Sequence, residues 1–182
     1  MNYLFNAFSH FKTITKHKIM VMKGCFELGL YKQGLLHDVS KYSPSEFLTG
    51  VKYYQGFRSP NTAEVEEKGY STSWLHHKGR NKHHFEYWID FRFREPYKGL
   101  LFAPMPVNYI AEMFVDRVTA SKVYNGDKFT DMDPLNYYKN SDAYKYMNPK
   151  TRRTLEGLLK MYAKKGEKYT YRYIRKKLLK NI

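Results

Sequence analysis

The sequence predicts an all-α fold, a compact helical bundle followed by a basic helical extension. One observation is the spacing of apolar residues three and four positions apart over two long stretches, Phe8 to Leu30 and Pro106 to Tyr124. A second is a recurring helix-start signal, a capping residue followed by proline, which occurs at Ser43-Pro44, Asp133-Pro134 and Asn148-Pro149. A chain of 182 residues is also long enough to bury a core without crosslinks.

A long helix opens the chain. The stretch from Phe8 to Leu30 is expected to place His17 on the apolar side of the helix. The residues predicted to lie near that face are Phe11, Ile14, His17, Val21, Cys25 and Leu28. Glycines between Gly29 and Gly34 break the pattern, and a short helix is expected to follow them.

Two further helices are expected between residues 43 and 78. Ser43 and Glu46 form a capping box, which starts a helix that runs to about Tyr54. The stretch from Thr62 to Lys78 is helical in pattern, but Gly69 weakens it, so that it can also form two pieces.

The second half of the chain continues in helices. Asn81 is expected to cap a helix that extends to Trp88. The residues from Phe91 to Pro106 are predicted to be a long irregular connection before the helix that ends at Tyr124. Another helix begins at Pro149, is interrupted at Gly166, and leads to a last basic helix.

The charge of the chain is large and uneven. The formal net charge is +15, and the last 34 residues hold twelve Lys and Arg against two Glu. Such a field attracts anions, which include nucleotides, nucleic acid, phospholipid headgroups and acidic proteins. The alternative is a solvated helical face that aids solubility.

The sequence also predicts a cytoplasmic protein. Cys25 is the only cysteine, so no disulfide can form within the chain, and this fits a reducing compartment. No apolar run approaches the roughly 18 residues of a membrane span, and Met1 to His10 lacks a signal-peptide profile.

The most informative stretch is Leu35 to Lys41, which contains the adjacent pair His37 and Asp38. An imidazole nitrogen and a carboxylate are good ligands for a borderline divalent metal. Neighbouring residues in a regular helix point about 100° apart, so the pair can share an ion only at a helix end or an irregular turn, or by holding the ion from two sides. The alternative is an exposed dipeptide at a helix C-terminus.

Further candidate ligands flank this pair on both sides. They are His17, the cluster His76, His77, His83 and His84, and Asp116. Four of the seven histidines lie within nine positions, which favours a specific role over chance. Of the cluster, His77 and one of His83 or His84 are the preferred ligands. For His17 the alternative is a core histidine, and for Asp116 it is a salt bridge with a nearby lysine or arginine.

The order His, His-Asp, further His, then Asp resembles the HD-domain superfamily of metal-dependent phosphohydrolases. The resemblance covers about residues 10 to 124, and it also extends to an uncharacterised HD-like branch through Asn81 and the residues Glu86-Tyr87-Trp88. It implies an HD-like helical domain over residues 1–124, with residues 125–182 as a basic extension packed on it, most simply in one structural domain. It also implies that His17, His37, Asp38 and Asp116 hold a metal ion, and that His77, His83 and His84 hold a second ion, with Asp38 bridging. Manganese, iron, zinc, cobalt, nickel and magnesium all suit these donors.

The resemblance suggests roles for neighbouring residues as well. Asp38 and Lys41 would be catalytic, and Lys41, Arg80 and Lys82 would bind a substrate phosphate. Glu86 and Glu112 would orient an imidazole or act as a general base.

Two functions follow from these patterns. The first is an enzyme that hydrolyses a nucleotide or another small phosphoester with a metal-activated water, although some two-metal HD relatives are oxygenases. The second is a non-catalytic basic helical module that binds nucleic acid or an acidic partner, with a structural or vestigial metal site. The oligomeric state is left open by both.

Overall fold

A computed structural model describes residues 3–180, which are mostly α-helical, as the sequence predicts. The helices are α1 (Tyr3–Glu27), α2 (Tyr31–Leu36), α3 (Pro44–Lys52), α4 (Pro60–Lys68), α5 (Thr72–Lys78), α6 (Val107–Asn125), α7 (Asp133–Asn140) and α8 (Pro149–Tyr173). Short 3₁₀ turns lie between several of them, and a π-helical turn, Ile174–Leu178, follows α8. Among the helices between residues 3 and 180, none has the length and apolarity that a membrane crossing requires.

Two local predictions need correction. The connection predicted to be irregular contains a hairpin, in which β1 (Ile89–Arg92) pairs antiparallel with β2 (Gly99–Phe102). The helix predicted after Asn81 is absent from the described chain, because residues 81–84 form a turn and only Phe85–Trp88 make a 3₁₀ helix. Both segments are short, and contacts outside them decide their conformation.

Helix α6 is central to the hydrophobic core. It packs against α1, α7 and α8, and its buried side chains include Phe114 and Val118. Leu155 and Leu159 of α8 belong to the same core cluster. The core therefore extends across residue 124, and the domain boundary at that position stays a prediction.

A close contact joins α1 to α3. The His10 ring lies so near Gly50 that a Cβ atom there would be 2.1 Å from His10 Nε2. The ring also packs against Phe47 and Tyr54. Only glycine allows this approach, which fixes α3 beside the helix that carries His17.

A buried carboxylate, Glu64, joins α4 to α5. It accepts hydrogen bonds from Ser71 Oγ at 2.7 Å, Thr72 Oγ1 at 2.6 Å and Ser73 Oγ at 3.0 Å. Burial raises the pKa of Glu64, but the hydrogen bonds from Thr72 and Ser71 outweigh it and lower the pKa to about 2. Glu64 thus fixes the start of α5, the helix that carries His76 and His77.

We expect Glu64→Gln to destabilise the protein at pH 7 by on the order of 2–3 kcal/mol. Because folding lowers the pKa of Glu64 from 4.5 to about 2, its contribution is complete above pH 4.5 and is lost as the pH falls towards 2. Urea unfolding between pH 7 and pH 3 should show the gap between wild type and variant closing below pH 4.5. Glu66→Gln, on the exposed side of α4, is the control and should change stability by less than about 0.5 kcal/mol. A gap that stays constant with pH would contradict this account.

Candidate metal centre

The candidate ligands come from five parts of the chain. Helix α1 supplies His17, the turn after α2 supplies His37 and Asp38, and α6 supplies Asp116. The remaining candidate ligands come from α5 and from the turn that follows it, and they are His77, His83 and His84. All of these side chains except Asp116 and His84 belong to buried residues.

The backbone at Asp38 explains how two adjacent residues face one centre. Helix α2 ends at Leu36, and Asp38 adopts a left-handed conformation with φ 54°. Aspartate is among the few residues that adopt this conformation readily. The ammonium of Lys18 donates to the carbonyl oxygens of Leu35 at 2.8 Å and His37 at 2.7 Å. Lys18 therefore holds this turn against α1.

The two carboxylate oxygens of Asp38 face different histidines. Oδ2 lies 3.7 Å from Nε2 of His17 and 3.4 Å from Nε2 of His37. Oδ1 lies 3.2 Å from Nε2 of His77 and 3.4 Å from Nε2 of His83. Asp38 thus stands between two sets of imidazoles.

Each set is large enough to hold a metal ion. The ligand atoms of His17, His37, Asp38 and Asp116 lie within 4.8 Å of one another, and so do those of Asp38, His77, His83 and His84. The structure brings together all seven residues that the sequence analysis proposed as ligands, in the two sets that the resemblance implies. His76, which the sequence analysis did not prefer as a ligand, lies outside both sets.

Several of these atoms lack the partners that buried polar atoms need. Nε2 of His17, His37 and His83 and Oδ1 of Asp38 are buried and make no hydrogen bond to any residue between 3 and 180. His17 Nε2 lies 2.9 Å from Asp116 Oδ1, but the angle is not that of a hydrogen bond. A buried polar atom without a partner costs about 1–3 kcal/mol. Nitrogen and oxygen donors that converge without partners fit a divalent cation.

Glu112 contacts two of the imidazoles. Its Oε1 accepts a hydrogen bond from Nδ1 of His37 at 2.9 Å and lies 3.1 Å from Nδ1 of His83. Gln33 Nε2 donates to the other oxygen at 2.9 Å. With the proton on Nδ1, the lone pair on Nε2 of each histidine is free to bind a metal. Glu112 thus lies against two candidate ligands, and the orienting role proposed for it stays a prediction.

Glu46 has the same role in the second set, and the sequence analysis missed it. Its Oε1 accepts from His76 Nδ1 at 2.6 Å, and its Oε2 accepts from His77 Nδ1 at 2.8 Å. The capping box predicted for Ser43 and Glu46 is therefore wrong, because the carboxylate is buried between α3 and α5. Its position in the first turn of a helix gave no signal of a distant partner.

The pKa shifts at the centre indicate that its carboxylates need positive charge beside them. Burial lowers the pKa of His37, but Asp38, Asp116 and Glu112 outweigh it and raise the pKa to about 10. Burial raises the pKa of Asp38, yet His37 and Lys41 hold it well below its usual value. Protons and a lysine thus balance the carboxylates, and a divalent ion would replace protons as it binds.

The residues proposed to bind phosphate are placed differently from one another. Lys41 Nζ lies 2.6 Å from Asp38 Oδ2, at the centre, and its side chain is 30% exposed. Arg80 donates to the carbonyl oxygen of His76, and Lys82 lies over the ring of Tyr87. Among the described contacts of these three side chains, only that of Lys41 is with a member of the two ligand sets.

Glu86 makes no hydrogen bond or ion pair with an imidazole of the described residues, although the charge of His83 affects its pKa. Its Oε2 is buried and makes no hydrogen bond to the described residues, and burial raises the pKa of the carboxyl. Of the two acids proposed to orient imidazoles, only Glu112 contacts one.

The chain was compared with known proteins and structures. A family model described as a family of unknown function, DUF5662, matches residues 6–161. The chain belongs to this family. The matched range contains every candidate ligand, from His17 to Asp116. Among curated proteins and among solved structures, nothing matches this DUF5662 chain.

We expect Glu112→Gln to weaken metal binding by roughly 10- to 100-fold, because Gln keeps the size of the side chain but loses the charge that orients His37 and His83. The amide nitrogen of the substituted side chain could also lie beside Nε2 of Gln33, so that two N–H donors would face each other. Competition against a chromogenic chelator measures the Kd. Glu86→Gln is the matched control, since it neutralises another carboxyl that has a buried oxygen but makes no hydrogen bond to an imidazole, and its Kd should stay within about threefold of wild type. Equal weakening by both variants would contradict the role given to Glu112.

Proposed function

We propose that the protein is a metal-dependent phosphohydrolase with an HD-like centre for two ions. One observation carries the proposal: the two oxygens of Asp38 face two separate sets of imidazole nitrogens, several of them buried and without partners. This arrangement suits a carboxylate that bridges two cations. The order of the ligands along the chain supports the same family resemblance.

The residues divide into two groups of ligands that share Asp38. His17, His37 and Asp116 would hold one ion, and His77, His83 and His84 would hold the other. Divalent ions in such a site acidify water and offset the negative charge on a phosphoryl group in the transition state. The chain contributes fixed imidazoles, because Glu112 and Glu46 hold the Nδ1 atoms of His37 and His77.

Lys41 is the residue best placed to contact the substrate. Asp38 and Asp116 raise the pKa of the Lys41 ammonium even though burial opposes this, so the group stays cationic. Its partial exposure leaves room for an anion beside it. Burial raises the pKa of Tyr124, and the charge of Lys41 opposes this shift.

A small anionic phosphoester suits this site best. The net charge of +15 raises the local concentration of anions and speeds their encounter with the protein. Nucleotides carry both the phosphate and the charge, so we propose a nucleotide or a similar phosphorylated metabolite as the substrate.

Metal analysis and a hydrolysis panel test this function. Purified protein is assayed for metal content, and phosphate release is then measured from nucleoside phosphates, cyclic nucleotides and nitrophenyl phosphates. We expect turnover that a chelator abolishes and a divalent metal restores. Asp116→Asn should reduce turnover strongly, whereas Asp90→Asn, at an exposed site on β1, should leave it unchanged.

Two results would contradict the proposal. Metal-loaded protein that hydrolyses no ester, but loses stability on chelation, would indicate a structural ion. Salt-sensitive binding of nucleic acid, independent of chelator and of Asp116→Asn, would favour the basic binding module.

A further inference from the structure

The outward face of α1 carries an apolar stripe that is largely exposed in the described chain, although the rings of Phe11 and Phe26 contact those of Tyr42 and Tyr31. Its largest members are Leu4, Phe8, Phe11, Ile19 and Phe26, and Leu4 and Phe8 are 81% and 70% exposed. Their spacing of three, four, seven or eight positions places them on one side of the helix. At 1.5 Å per residue the stripe from Leu4 to Phe26 extends over about 33 Å, with the polar residue Thr15 between Phe11 and Ile19.

This stripe is separate from the face that builds the core. Ile14, His17, Val21 and Cys25 are buried on the other side of α1. Phe11, which the sequence analysis placed with them, is 48% exposed, so that part of the prediction is wrong. Single exposed apolar residues are common on protein surfaces, but a row of them along one helix marks an interaction surface. The neighbouring helix α2 packs beside α1 and adds Leu35 and Leu36, which are also exposed.

The charge along the stripe identifies its partner. Lys12, Lys16 and Lys23 are exposed on α1, and its last residue, Glu27, is the only acidic residue of the helix. A second copy of α1 would therefore bring three exposed lysines and a single carboxylate at one end, which leaves most of the lysines without an acidic partner. Anionic lipid headgroups would supply that charge, and the boundary between headgroups and acyl chains accepts phenylalanine and leucine.

We propose that the stripe on α1 docks the protein on the surface of an anionic lipid bilayer. The apolar side chains enter the headgroup region, and Lys12, Lys16 and Lys23 pair with the anionic headgroups. The core face of α1 stays packed in the protein, so the helix lies along the membrane surface. This binding needs neither the metal ions nor turnover.

Vesicle cosedimentation of the full chain tests the proposal. We expect binding to phosphatidylcholine vesicles that contain about 30% phosphatidylglycerol, and much weaker binding to vesicles of phosphatidylcholine alone. Salt at about 0.5 M should weaken the binding, because it screens the lysines. A chelator should have no effect.

Paired variants separate this face from the overall charge. Leu4→Glu with Phe8→Glu should abolish binding, while Phe57→Glu with Leu75→Glu, at sites that are 69% and 53% exposed, should leave it intact.

A second pair of variants tests the lysines. Lys12→Ala with Lys16→Ala should weaken binding by about 30-fold, since each lysine near an anionic surface contributes roughly a factor of five. Lys176→Ala with Lys177→Ala removes the same charge from the other end of the chain and should weaken binding far less. Circular dichroism checks that each variant is folded.

Three results would overturn the proposal. The first is wild-type protein that does not bind anionic vesicles. The second is an equal effect of the α1 variants and their controls, which would indicate attraction through net charge alone. The third is a wild-type dimer in sedimentation that Leu4→Glu with Phe8→Glu converts to a monomer, which would show that a second copy covers the stripe.

Discussion

Asp38→Asn is expected to remove most of the bound metal and, with it, the proposed turnover. Asp38 is the one residue that both candidate ligand sets share, so its loss affects both ions. Leaving buried charged groups without a partner costs about 3–5 kcal/mol, which corresponds to binding weaker by roughly 10²- to 10⁴-fold. Asparagine is preferred over alanine because it tolerates the left-handed backbone at this position.

Metal content after dialysis against a weak chelator measures this effect. Asp90→Asn is the control for the loss of one carboxylate, because it lies exposed on β1. A folded Asp38→Asn variant that retains two ions per chain would contradict the bridging position of Asp38. Retention of one ion would show that one set of ligands binds independently of Asp38.

Phe114→Ala is expected to cost about 3–5 kcal/mol of unfolding free energy. Phe114 is fully buried on α6, and its ring packs against Tyr162 at 5.8 Å and Tyr171 at 6.4 Å between ring centres. The variant would leave a cavity where α6 meets α8. For a chain of this size the loss corresponds to a fall in Tm of roughly 10 °C.

Thermal and urea unfolding measure this change, with Phe93→Ala as the control. Phe93 is 83% exposed, so its removal should alter stability by less than about 0.5 kcal/mol. Phe114 lies two positions from both Glu112 and Asp116, on the other side of α6. We therefore expect metal binding close to wild type at temperatures where the variant is folded. Equal stability of the two variants would contradict the packing of α8 on the core.

Hydrophobic periodicity made much of the fold predictable. The repeats in α1 and α6 predicted two long helices and placed His17 on the inner side of the first one, where it lies. Periodicity identifies a buried face because side chains three and four positions apart share one side of a helix. It carried less information about residues 81–102, where short segments depend on distant contacts.

Partners that are distant in the chain were not predictable. Glu46 has the local pattern of a helix cap, but it binds His76 and His77 from another helix. Lys18 supports the turn at His37 from 19 residues away, and nothing in its local pattern indicates this. A hydrogen bond between separate helices depends on how those helices pack, and a local pattern does not record the packing.

The sequence by itself determined the helical class, the basic charge and the residue types that can bind a metal, because these follow from composition and spacing along one chain. The tertiary structure decided which histidines converge on Asp38, which carboxylates contact them, and that one face of α1 is left largely exposed. These features depend on the packing of helices whose residues are far apart in the sequence, and only the folded chain sets their distances.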